Sequence, residues 1–165
     1  MNKKNGIVLL GLLLSVSLAW AQAQNLDSAD TKIILERRGC FGTCPAYKLT
    51  IYPDGKINFL GKEYVKAMGP HVKRISSDKL ALIWRELENT KFFDLDGKYD
   101  CEDVTDQATT ITTVIKDGSI KQIVHYQGCM SANKKELSAL TKLEDKIDKL
   151  AGIDDWLLYE KRKKK

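Results

Sequence analysis

The feature that most restricts this fold is a hairpin. Tyr47, Leu49 and Ile51 alternate with polar residues, Pro53-Asp54-Gly55 intervenes, and Ile57 and Phe59 follow at the same period. A period of two marks a strand with one buried face. A three-residue loop, with Pro53 opening a type I turn and Gly55 in the left-handed position, pairs Ile51 with Ile57, Leu49 with Phe59 and Tyr47 with Gly61. The apolar side chains then share one face, and Lys48, Thr50 and Asn58 take the other. A slip of one residue would split the apolar set, so that set fixes the register.

The rest of the chain supplies a layer to cover the apolar face. Residues 31–36 read as a short strand, and 71–75, after the Gly69-Pro70 break, as another. Ser76 or Ser77 caps a helix over 78–90, in which Leu80, Ile83, Trp84 and Leu87 recur at helical spacing. A second hairpin joins 109–115 to 120–126 through Asp117-Gly118. A type I′ turn there pairs Ile115 with Ile120 and Ile111 with Val124, gathering those residues on the expected inner side. Val114 and Ile123 make its other face partly apolar as well, which predicts a central position in the sheet. Asn133 and Glu136 predict a capping box for a last helix with Leu137, Leu140, Leu143, Ile147 and Leu150 in one stripe. Trp156, Leu157 and Leu158 read as a closing segment. The expected fold is α+β: a mostly antiparallel sheet with two helices packed on one face. The two hairpin–helix units are candidate halves of a duplication.

The N-terminus carries Lys3 and Lys4, an apolar stretch from Gly6 to Leu14, and the small-residue sites Ala19-Trp20-Ala21 and Ala21-Gln22-Ala23. That is the order of a secretory signal peptide, cleaved after Ala21 or Ala23. The apolar run falls short of the ~20 residues of a bilayer span. Residues 1–23 are therefore expected to be a leader, 24–160 one domain, and 161–165 a basic tail. Two of the 27 basic residues lie in the leader and five in the tail, so the domain carries 20 against 22 acidic ones. A nucleic-acid partner is not expected of a domain that is not basic overall. The tail reads as a solvated end or as a charge attracted to anionic lipid or polysaccharide.

Cys40, Cys44, Cys101 and Cys129 all lie in the mature part. An even count in an exported chain reads first as disulfides, and local spacing favours Cys40 with Cys44 and Cys101 with Cys129 among the three pairings. Cys40-Phe41-Gly42-Thr43-Cys44-Pro45 also has the spacing of an exported copper chaperone, with His71 or His125 as a third ligand. However, Pro45 leads into a strand, where a reactive dithiol would open a helix. The stretch from Asp94 to Asp106 holds six carboxylates; it reads as a solvated acidic loop, since Lys98 and Gly97 break the calcium-loop order. The chain has no His-Glu-x-x-His run, no Gly-x-Ser-x-Gly elbow and no phosphate-cradling glycine loop. Arg37 and Arg38, beside the cysteine loop, are candidates for forked hydrogen bonds to an anionic partner.

The run from Arg37 to Tyr47, the Asp54-Gly55 turn, Gly61, Gly69 and the Asp106 region resemble an exported bacterial family, domain of unknown function 6438, over about residues 31–150. No activity is attached to that family, so the resemblance carries over no catalytic residue. Cys101 and Cys129 lie outside its shared pattern.

The expected function is a periplasmic or secreted, non-enzymatic binding module. It presents Arg37, Arg38, Phe41 and Tyr47 to an envelope protein or polymer, with no cofactor, no metal and no membrane span after cleavage. The alternative is thiol-redox or copper handling by Cys40 and Cys44.

Overall fold

The computed structural model describes residues 31–101, 104–129 and 133–157; the expected leader, the basic tail and Leu158 lie outside them. In chain order the elements are β1 (Lys32–Arg37), β2 (Ala46–Ile51), β3 (Lys56–Glu63), β4 (Gly69–Arg74), α1 (Ser77–Asn89), β5 (Lys98–Tyr99), β6 (Thr109–Lys116), β7 (Ser119–Tyr126) and α2 (Lys134–Ala151). The strands form one sheet in the order β4-β3-β2-β1-β6-β7-β5, antiparallel except where β5 joins β7. This is the expected α+β class.

The first hairpin pairs Ile51 with Ile57, Leu49 with Phe59 and Tyr47 with Gly61, and Gly55 takes φ 75°. Its inward set continues through Ile33 and Leu35 of β1. Both helices cover that face: Ile83 and Leu87 of α1 and Leu140, Leu143 and Ile147 of α2 join one core with the sheet residues. Phe59 is a hub, its ring 5.3 Å from Tyr47 and 5.1 Å from Trp156. Trp156 and Leu157 pack back as expected, and Leu157 bridges Val65. Gly61 is required at this corner, because a Cβ there would lie 2.0 Å from the Ala67 carbonyl oxygen.

The second hairpin has the expected register, Ile115 with Ile120 and Ile111 with Val124, but the opposite face turns inward. Beside β1, Val114 pairs with Ile33 and Thr112 with Leu35, so Thr110, Thr112, Val114, Ile123 and His125 face the helices. Ile120 is left 70 % exposed. The neighbour strand decided the face, because β6 has apolar residues on both sides.

Ser76 caps α1 through Lys79 N–H. Asn133 makes no side-chain cap, and Glu136 instead accepts a hydrogen bond from the Tyr99 hydroxyl. The expected capping box is thus replaced by a tie between α2 and β5.

Candidate functional site

Register gathers the polar residues of the inward face into one row. Tyr47 lies beside Arg37, Arg37 beside Thr110, Thr110 beside His125, and His125 beside Tyr99. Over this row α2 lays Glu144 and Asp148, four residues apart and hence on one helix face. Arg37 Nε donates to Asp148 Oδ2 at 2.8 Å and approaches the Tyr47 hydroxyl at 3.0 Å, and Nη2 reaches Asp145 Oδ1 at 2.9 Å. His125 Nδ1 lies 3.0 Å and 3.1 Å from the two Glu144 oxygens. A carboxylate can only accept, so the Nδ1 proton points at it. Gln127 donates to Glu144 and Thr110.

Burial works against the Arg37 charge, yet the facing Asp148 carboxylate raises the guanidinium above its ordinary value. Burial, reinforced by Asp148, pushes the Tyr47 phenol upward, so it remains protonated. Burial also holds Asp148 above the usual carboxylate range, although Arg37 pulls the other way. His125 and Glu144 are 3 % and 1 % exposed. The row is a buried polar latch between sheet and helix. It ties α2 to β1, β2 and β7, and its His125–Glu144 end is covered while its Arg37 end borders a cleft.

The chain leaves this row at the cysteine loop. Cys40 and Cys44 are joined, as are Cys101 and Cys129, in the pairing that local spacing favours. Gly42 N–H bonds the Cys40 carbonyl, Phe41 N–H the Asp106 carbonyl, and Arg38 N–H the Thr109 carbonyl. The backbone is pinned on both sides of Phe41, whose side chain is 90 % exposed. Cys44 and Pro45 lead directly into β2, so neither sulfur sits at a helix N-terminus.

Strand alternation sends the two arginines to opposite faces. Arg37 points under α2 and lines a cleft of about 570 Å³ with Pro45, Tyr47, Asp145 and Asp148. Arg38 lines another, of about 350 Å³, with Thr109, Val124, Tyr126 and Lys98 on the open face. Of the four candidate binding residues, Phe41 and Arg38 stand at the surface. Arg37 is tied up in ion pairs, and Tyr47 is 1 % exposed. The copper reading finds no support here: both sulfurs of the loop are spent in a bond, His125 is committed to Glu144, and His71 bonds the Met68 carbonyl. Among the described residues no group of three or more His, Cys, Asp or Glu side chains gathers as a metal site. In the acidic stretch Lys98 pairs with Asp100, and Tyr99 is a strand residue. Glu102 and Asp103 lie outside the described residues.

Sequence reasoning missed Glu144, Asp145 and Asp148. The available signal was an acidic pair at i and i+4 within the apolar stripe of α2, opposite a histidine on a strand face.

The family described as Domain of unknown function (DUF6438) matches residues 31–151, which span β1 to the end of α2. No curated protein matches the chain.

Proposed function

The chain belongs to that family, DUF6438, and from its own geometry we propose that it is an exported, non-enzymatic binding module whose contact surface is built on the Cys40–Cys44 loop. The observation that carries this reading is Phe41. An aromatic ring 90 % exposed on a short loop, held by a disulfide and two flanking backbone hydrogen bonds, adds little to folding. It offers a partner a large apolar area at low entropic cost, as interface anchors do. Arg38, three residues before Phe41 and 58 % exposed, meets a Glu36 oxygen at 3.6 Å through Nε, an oxygen that Lys62 also bonds, which leaves its Nη donors for a partner.

Export is supported by the two disulfides, which persist in oxidising compartments, and by the leader expected over residues 1–23. No described helix is long and apolar enough to cross a membrane. The partner is an envelope protein or polymer.

Immobilised wild-type protein should hold such a partner from an envelope extract. Phe41→Ala is expected to weaken that hold about thirtyfold, the weight of a hot-spot aromatic, while stability stays within about 0.5 kcal/mol because the side chain is almost wholly exposed. An unchanged partner set with the variant would remove Phe41 as the anchor.

A further inference from the structure

Both helices lie on one side of the sheet, so the other side of β1–β4 is left without a helical cover among the described residues. Its side chains follow from the register. Arg74, Lys56 and Lys32 stand towards one end of the strands, and Lys48, Lys62 and Arg38 towards the other. The carboxylates that meet them are few. Glu36 is shared by Lys62 and Arg38, and Asp54 pairs with Arg74. Lys32 and Lys56 have no ion-pair partner among the described residues, Lys48 stands across from Glu36 and acts on its charge without a close ion pair, and Lys56 Nζ rests 5.7 Å from the centre of the Tyr52 ring. Between the two cationic ends runs a neutral strip of Ile34, Thr50, Asn58, Leu60 and Val72, in which Leu60 is 43 % and Val72 63 % exposed. The domain is slightly acidic as a whole, so this face concentrates its positive charge.

We propose that the open face of β1–β4 docks on an anionic lipid bilayer. A bilayer surface is flat and meets both cationic ends at once, with the exposed aliphatic residues entering the headgroup layer between them. A single nucleic-acid strand would need aromatic platforms, and among the described residues of strands β1–β4 and the β2–β3 turn Tyr52 is the aromatic residue on this face. An acidic polymer would draw on one line of cations and gain nothing from Leu60 and Val72. Charge complementarity therefore selects the occupant together with the aliphatic strip. Phe41 takes no part, and Arg38, which borders both surfaces, is left unchanged in the variants that test this face, so their failure is distinguishable from failure of the partner site.

The test is co-sedimentation of the chain from residue 24 onward with vesicles of phosphatidylglycerol and phosphatidylcholine, against vesicles of phosphatidylcholine alone. Binding is expected to the first at low salt and to be lost at high salt. Lys32→Gln/Lys48→Gln/Lys56→Gln breaks no close ion pair, since Glu36 keeps Lys62 and Arg38, and is expected to weaken it about a hundredfold, at roughly fivefold per lysine near the surface. Leu60→Ser/Val72→Ser should weaken it further without changing the salt dependence. Vesicle binding that the triple variant leaves intact, as a tail-only attachment would, overturns the proposal. So does an absence of binding to the anionic vesicles, or retention on dextran sulfate without vesicle binding.

Discussion

Replacing Arg37 by alanine is expected to lower the unfolding free energy by about 3–5 kcal/mol, because it strands the buried Asp148 carboxylate without a cation. Arg37 holds Asp148 and Asp145 together and touches the Tyr47 hydroxyl, so one deletion opens the join between β1, β2 and α2. Arg37→Lys should recover little, since an ammonium cannot reproduce the Nε and Nη2 contacts at once. The variant's pH dependence identifies the cause. Burial already holds the Asp148 pKa above its unfolded value, and removing Arg37 takes away the main opposing charge. A carboxyl with a raised folded pKa stabilises below its unfolded pKa and loses that contribution as pH rises through the folded one. The deficit of Arg37→Ala relative to wild type should therefore shrink as pH falls towards about 4. Adding Asp148→Asn to the variant should restore part of the loss at neutral pH. Urea unfolding across pH measures both effects, and a deficit under about 1 kcal/mol, constant with pH, would mean that the pair contributes as a surface bridge does.

Cys101→Ala/Cys129→Ala is expected to cost about 3.6 kcal/mol on the chain-entropy model, since the bridge closes a separation of 28 residues. Cys129 is 8 % exposed and belongs to the hydrophobic core, and the bridge ties the segment after β5 to the segment before α2. The Cys40–Cys44 link closes a separation of only four residues, and its removal should cost about 2 kcal/mol. Denaturation of the two double variants under one condition gives the ranking. A larger loss from the short loop would show that the loop supports the fold beyond its own closure.

Much of the architecture was legible because short-range patterns decide it. The Pro53-Asp54-Gly55 turn and the alternation around it determine the first hairpin to the residue, and Asp117-Gly118, both at positive φ, does the same for the second. The inward face of the second hairpin was not legible. Ile111 and Val124 on one side compete with Val114 and Ile123 on the other, and the contest is settled by β1, which pairs with β6 from more than seventy residues away. β5 is two residues long and parallel, too short to carry a period. The latch was missed for a related reason. Amphipathic reading sends acidic residues outward, whereas Glu144 and Asp148 point inward to a histidine and to an arginine 111 positions from Asp148. The same alternation that puts Arg37 under α2 leaves Arg38 outside, so two adjacent arginines that read alike in sequence stand on opposite faces of the sheet.

We propose the Cys40–Cys44 loop as a fixed scaffold for contact and not a dithiol that turns over. Its most direct test is the reduction potential of this pair in the purified protein, titrated in thiol buffers and read by alkylation and peptide mass. Because Cys44 leads into a strand, neither sulfur sits at a helix N-terminus of the kind that activates catalytic dithiols. A potential below about −300 mV is expected, that of a structural staple. A value between roughly −120 and −230 mV, the range of catalytic dithiols, would contradict the scaffold and make thiol exchange the function of the loop.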